Sequence, residues 1–441
     1  MSEKMRLGRI FALIVVLTGC GGTKESELAE RLPDSKGMNV LIISFDALRV
    51  DALGVYGGSR GLSPNIDRFS EQSIVFENAY TAAPVTPTSF AAAFTGQWPF
   101  QVFHGWKLVV QKTLAEILQE NGYHTWGIFN NPQLATERFF NRGFDNYQVV
   151  YEEDKQVLED AVAILNGDLP EPFFGWVHFI SPHSPYDYRE LATHLYDPDY
   201  EGPYERTSGQ PVTADNPQDL KRLRDLYDGE VLFLDALFAE LMETLRSRGL
   251  VENTVIIVTS DHGEEFMEHG QLEHNAVFEE LIHIPMMIRH PKGSGWRNPT
   301  YYSNVDLLPT LTSALGIKPG EIRLDGVDLM LAASEQRTLL STGMTHKFDR
   351  HFSAATGPEK LIVDCKPEYA EALYDLGADP AEQANRIKDD PNRATALLDL
   401  AKLLATDEPC TMIARAIANQ NPTANLTEEQ IENLRSLGYI Q

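Results

Sequence analysis

From about residue 38 to 319, short apolar runs alternate with segments of helical periodicity. The runs at 40–45, 125–129, 174–180, 255–260 and 285–289 are rich in β-branched and aromatic residues. They lack a polar alternation, which predicts strands covered on both faces. Residues 65–72, 90–95, 113–121, 156–165, 217–248 and 305–315 carry apolar residues at helical spacing. Asn121-Gly122 supplies a glycine that ends one of these helices. Alternation of this kind predicts an α/β fold, a doubly wound and mostly parallel sheet with helices on both faces. Beyond Asp328 the pattern changes. Residues 337–342, 360–364 and 372–376 read as short strands, and 392–405 and 427–437 as helices. These predict a main domain over 38–330 and a smaller α+β subdomain over 331–441.

The chain has 441 residues, 43% hydrophobic and 23% charged, which is core material for two domains. Its net charge of -27 argues against a nucleic-acid partner. An acidic field also repels anionic substrates, so an anion site here needs a local positive centre such as a bound metal.

The first residues read as a targeting segment. Lys4, Arg6 and Arg9 precede an apolar run, 10–17, that is too short to span a bilayer. Leu17-Thr18-Gly19-Cys20 resembles a bacterial lipobox. That resemblance implies a signal peptide over 1–19, lipidation of Cys20, and a protein anchored to a membrane of the cell envelope on its extracytoplasmic side. Residues 20–37 read as a tether. In an oxidising envelope Cys365 and Cys410 could pair, and sequence leaves that open.

Two of the apolar runs end on acids. Residues 40–45 lead into Asp46, and 254–259 lead into Ser260-Asp261-His262-Gly263-Glu264. Parallel strands place their carboxyl ends on one edge, where ligands bind in open α/β sheets. A buried carboxylate needs a partner or a cation, and Asp with neutral His suits a divalent metal. A third segment, Val85-Thr86-Pro87-Thr88-Ser89, sets hydroxyls ahead of a helix. The free amides and dipole there favour an alkoxide or an oxyanion, although Thr86 or Thr88 could equally be the helix cap. His178, His183, His269 and His274 fall near strand ends or in loops, and as a set they suit anion binding or proton delivery.

Together these segments resemble the sulfatase-like branch of the alkaline phosphatase superfamily. The matching pieces run from Asn39–Asp46 through Ser63-Pro64-Asn65, Thr95-Gly96, His178 to Tyr186 and Ser260 to His269, and on to Leu373-Tyr374-Asp375. The resemblance implies a metal-dependent hydrolase of sulfate or phosphate esters. Asp46, Asp261 and His262 match metal-ligand positions for one divalent ion, with calcium, manganese and zinc all compatible. Thr86 falls at the nucleophile position, nine residues before Thr95. His183 and His274 match residues that hold the transferred group or assist the leaving oxygen, and His178 is a further catalytic candidate. The implied substrate is an anionic ester, on a sulfated or phosphorylated glycan or lipid.

Two departures bear on the chemistry. Many members carry tandem acids where this chain has Asp46-Ala47. Formylglycine sulfatases have Cys or Ser at the nucleophile with Pro two residues on and Arg four on, whereas this chain reads Thr86-Pro87-Thr88-Ser89-Phe90. Thr86 is therefore expected to act as an unmodified hydroxyl, which favours phosphoryl chemistry. The alternatives are group transfer to envelope glycans or lipids, or a degenerate binding lipoprotein.

Overall fold

The computed structural model describes residues 26–104, 106–151, 153–209, 212–274, 276–331, 337–343, 351–365, 371–417 and 426–436. The expected signal peptide and Cys20 lie outside them. Among the described residues no helix is long and apolar enough to cross a membrane.

The main sheet has eight strands: β1 (Asn39–Asp46), β2 (Ile74–Tyr80), β3 (His124–Phe129), β4 (Asn146–Val149), β5 (Phe173–Pro182), β6 (Thr254–Ser260), β7 (Met286–Arg289) and β8 (Trp296–Ser303). Their order is β8-β2-β7-β6-β1-β5-β3-β4. All neighbours are parallel except where β7 pairs antiparallel with both β2 and β6. All eight residues of β1 are buried, as its central place in the sheet requires. Its alternate side chains serve two cores. Leu41, Ile43 and Phe45 join a cluster with the helices Pro64–Ser70, Asp154–Asn166 and Pro217–Ser247. Val40 and Ile42 join one with Thr86–Thr95, Leu114–Glu120 and Leu307–Ala314. This is the doubly wound arrangement expected from the sequence pattern.

Within the 20–37 segment expected to be a tether, the described residues from Ser26 pack on the main body. Glu27–Arg31 is a helical turn capped by Ser26, and Leu28 and Leu32 are buried in the second core. Ser26 Oγ donates to the carbonyl of Leu329 at 2.7 Å. The two leucines, spaced four apart in a polar stretch, are what dock it.

The C-terminal part is a four-stranded antiparallel sheet, Thr338–Thr342, His351–Thr356, Glu359–Asp364 and Glu371–Asp375, in chain order. Helices Pro391–Ala405 and Pro409–Ile417 cover it. It shares a core with the main body through Ala92, Trp98, Phe100 and Val305, which cluster with Leu340, Phe352 and Leu397. Thr342 N donates to Ala82 O at 2.8 Å across the junction. Cys365 and Cys410 form a disulfide that ties the end of the third strand to the last of these helices.

Candidate active site

β1, β5 and β6 run parallel at the sheet centre, so their carboxyl ends share one edge. β1 ends in Asp46 and β6 leads into Asp261-His262. The register between β1 and β5 shifts at Phe45/Asp46, so Asp46 faces Pro182 rather than the next residue in line. The chain then turns through Ala47, whose φ of 59° lies in the left-handed region that L residues rarely adopt. The turn aims the Ala47 amide at Asp261 Oδ1, 3.2 Å away. At the position where many family members carry a second acid, this chain therefore uses its backbone to hold Asp261.

Asp46, Asp261 and His262 are buried, and one ligand atom from each lies within 4.8 Å of the others. Burial lowers the His262 pKa, but the Asp261 and Asp46 charges outweigh it and raise the pKa. His262 Nδ1 donates to the Gly263 carbonyl at 2.9 Å, so in the neutral ring Nε2 carries the lone pair. That nitrogen sits 3.5 Å from Asp46 Oδ1 and 3.6 Å from Asp261 Oδ2. All three atoms lack a hydrogen-bond partner among the described residues. Two buried carboxylate oxygens converge on the imidazole Nε2, a donor set that fits a divalent cation. Burial and the Asp46 charge push Asp261 up to about 6. Burial also raises Asp46, but the neighbouring imidazoles of His183, His178 and His262 outweigh it and hold Asp46 well below the usual carboxylate range.

Thr86 opens the helix Thr86–Thr95. The predicted helix began at 90; Pro87 near its start, where no amide hydrogen is needed, extends it back to Thr86. The cap position is Val85, with no side-chain cap, and Thr88 Oγ1 turns back to the Val85 carbonyl. Thr86 is thus not spent on capping. Its hydroxyl donates to Asp46 Oδ2 at 3.2 Å. Ser89, one turn on, donates to the Asp261 carbonyl at 2.9 Å and so locks this helix to the β6 end.

His178 is placed differently from a metal ligand. Trp176 Nε1 donates to Ser44 Oγ and Ser44 in turn faces His178 Nδ1, both at 3.0 Å. With Ser44 as donor to Nδ1, His178 Nε2 carries the proton and stands 3.4 Å from Asp46 Oδ2. It faces Asp46 without a hydrogen bond among the described residues. The rings of His183 and His274 lie beside His262, with centroids 6.4 and 4.3 Å away and 5.0 Å between the two. His183 Nδ1 donates to the Ser184 carbonyl at 2.5 Å, and burial lowers its pKa. His269 does not join the group; it pairs with Glu280 at 2.7 Å and stacks on Phe278. Phe90, in place of the family arginine, packs against Trp176 and His178.

Two residues at this site escaped the sequence reading. Asn131 Nδ2 donates to Asp46 Oδ2 at 2.5 Å and lies 3.3 Å from Thr86 Oγ1. Its signal was present, an Asn-Asn-Pro turn directly after the 124–129 strand. Glu264 is fully buried, takes the Tyr186 hydroxyl at 2.9 Å and faces His274 Nδ1 at 3.2 Å.

The fold and this edge have counterparts among known proteins. The Sulfatase family model matches residues 38–317, and the model "N-sulphoglucosamine sulphohydrolase, C-terminal" matches 267–408. The N-acetylglucosamine-6-O-sulfatase of Bacteroides thetaiotaomicron is 23% identical, over 80% of this chain and 83% of its own. Arylsulfatase K of Xenopus laevis is 24% identical, over 91% and 90%. The crystal structure of a phosphonate monoester hydrolase of Agrobacterium radiobacter superimposes with a TM-score of 0.71 at 20% identity, covering 84% of this chain and 95% of that one. With most of the main domain matched and an acid-imidazole cradle at the expected sheet edge, the chain belongs to the sulfatase family of ester hydrolases.

Proposed function

We propose that this chain is a metal-dependent hydrolase of sulfate or phosphate esters that uses the unmodified Thr86 hydroxyl as its nucleophile. The observation that carries the reading is the contact of Thr86 with Asp46 Oδ2, whose other oxygen belongs to the cradle. Asp46, Asp261 and His262 would hold a divalent cation, which would supply Lewis acidity to the ester oxygen and lower the cost of the alkoxide.

The residues do the rest by position. Asp46 Oδ2 and Asn131 Nδ2 fix the Thr86 oxygen at the start of its helix, where the dipole favours negative charge. Thr86 attacks the central atom, the bond to the leaving oxygen breaks, and the group is carried on Thr86 until water cleaves it. An arriving anion favours the protonated form of His183, and His183 and His274 serve its oxygens. Glu264 fixes the ring of His274, which suits it to protonate the leaving oxygen.

Threonine offers one hydroxyl, so the covalent ester has to be opened by attack at its central atom. Phosphorus accepts this more readily than sulfur, and the residue chemistry favours a phosphoryl group. The family favours a sulfated or phosphorylated glycan or lipid as the ester. Removal of the ester group by transfer to a sugar or lipid hydroxyl is the second reading, because a one-hydroxyl nucleophile leaves an adduct able to meet either acceptor. The lipobox-like Cys20 supports an anchor on an envelope membrane, and the Cys365–Cys410 disulfide supports an oxidising compartment.

The test is intact-protein mass analysis after exposure to aryl phosphate, phosphonate and sulfate esters. A mass gain of one ester group that maps to Thr86 is expected, with release by water or by an added glycan alcohol separating hydrolysis from transfer. Undiminished turnover by Thr86→Ala would sink the assignment.

A further inference from the structure

After His262-Gly263 the chain folds into a two-stranded ribbon, Glu265–Phe266 against Leu272–Glu273. Glu265 is fully buried. Its Oε1 accepts the backbone amides of His269 and Gln271 at 2.9 and 3.0 Å. Its Oε2 is buried with no hydrogen-bond partner among the described residues. Close by, His269 Nδ1 lies 2.7 Å from Glu280 Oε1, and its ring is pinned flat on Phe278 with centroids 3.6 Å apart. One carboxylate oxygen of Glu265, one of Glu280 and one ring nitrogen of His269 lie within 4.8 Å of one another. None of these three residues belongs to the Asp46, Asp261 and His262 cradle.

An unpaired buried carboxylate oxygen costs on the order of 1–3 kcal/mol, more if charged. A cation bound at Oε2 removes that cost. Two carboxylates and one imidazole make a mixed oxygen and nitrogen donor set of the kind that holds zinc or manganese. We propose that Glu265, His269 and Glu280 bind a second divalent cation, of the zinc class, whose work is structural. Glu265 opens the first ribbon strand, His269 lies in the turn between the two strands, and Glu280 sits on the short helix Glu279–Ile282. Gly263 N donates to the Leu281 carbonyl at 2.9 Å, so the same helix abuts the turn that carries His262. A cation here fastens the turn and the His274-bearing ribbon to one support.

The experiment counts bound metal, not turnover, so its outcome is independent of the Thr86 reading. The chelator-stripped full chain is titrated with Zn²⁺ by calorimetry, alongside Asp261→Asn, Glu265→Gln and Glu280→Gln. Two equivalents are expected for the parent and one for each variant. Glu265→Gln is expected to keep the catalytic equivalent, with a thermal midpoint that responds less to Zn²⁺ than the parent's. A single equivalent in the parent, or two retained in both Glu265→Gln and Glu280→Gln, would overturn the second site. The use of two conservative variants guards against one that fails to fold.

Discussion

The Thr86 hydroxyl meets Asp46 Oδ2 at 3.2 Å although the two residues stand 40 positions apart in sequence. The contact joins the proposed nucleophile to the proposed metal cradle through one carboxylate, with Asn131 as a third party at 2.5 Å. Removing the hydroxyl therefore removes the attacking atom while leaving the cradle. Thr86→Ala is expected to lower kcat by at least about 10³-fold and to bind metal as before. Thr86→Ser restores a hydroxyl and is expected to recover measurable turnover. Steady-state rates on an aryl ester, paired with metal analysis of each variant, check this.

Two buried carboxylates meet in the proposed cradle, and a bound cation would neutralise both. Chelation is expected to abolish turnover and readdition to restore it. At a free metal concentration of about 100 times Kd, a binder of the folded state alone adds about 2.7 kcal/mol. Thermal unfolding with and without metal should show a rise in the midpoint for the parent, and a smaller one for Asp261→Asn. Gly263 tests the backbone side of the cradle. A Cβ there would lie 1.9 Å from the Glu280 carbonyl, so Gly263→Ala has to move the His262 turn and should weaken metal binding.

Glu264 faces His274 Nδ1 at 3.2 Å and is itself held by Tyr186. It touches no ester in the proposed reaction and acts by orienting the imidazole. Glu264→Gln is expected to lower kcat by about 10–100-fold, as loss of such an orienting partner does, with little change in KM. The loss should grow as the leaving group becomes a poorer one, because a proton donor matters most there. A uniform loss across aryl and alkyl esters would count against His274 as the acid.

The two cysteines close a loop with a sequence separation of 45. By the loop-entropy relation that cross-link is worth about 4 kcal/mol. Cys410→Ser, or reduction, should therefore lower the thermal midpoint and loosen the small sheet first, read by amide exchange over Glu359–Asp364.

The sequence makes the central strands legible because they are covered on both faces and read as unbroken apolar runs. β8 was missed, since Trp296–Ser303 is polar, contains Pro299 and lies at the sheet edge. β2 escaped for a related reason: Glu77 and Asn78 interrupt its apolar run. The antiparallel sense of β7 has no signature in composition; it follows from a short connection, 261–285, that carries loops and no long crossover helix. At the site, strand-end acids and histidines announce themselves by type and position. Asn131 does not, because an asparagine in a turn reads as turn chemistry. Its function comes from the strand order, which brings the end of β3 beside β5 and so near Asp46.

Glu230 offers a test of how the His183 loop is held. It is 2% exposed and sits in the long helix Pro217–Ser247. It accepts Ser181 Oγ at 3.0 Å, the Asp187 amide at 2.8 Å and Arg189 Nη2 at 2.9 Å. Those three residues flank His183 on both sides. Burial outweighs Arg189 and raises Glu230 from 4.5 to about 7. A carboxyl raised on folding binds its proton more tightly in the folded state. Its stabilising contribution is complete below the unfolded value of 4.5 and is lost as pH climbs to about 7. The size of the swing is about 3 kcal/mol at most. Glu230→Gln cannot titrate, so the difference in unfolding free energy between parent and variant should change between pH 4.5 and 7 and level off above. Urea unfolding at pH 5, 6, 7 and 8 reads it directly, and parallel profiles for the two proteins would show that Glu230 is ionised throughout.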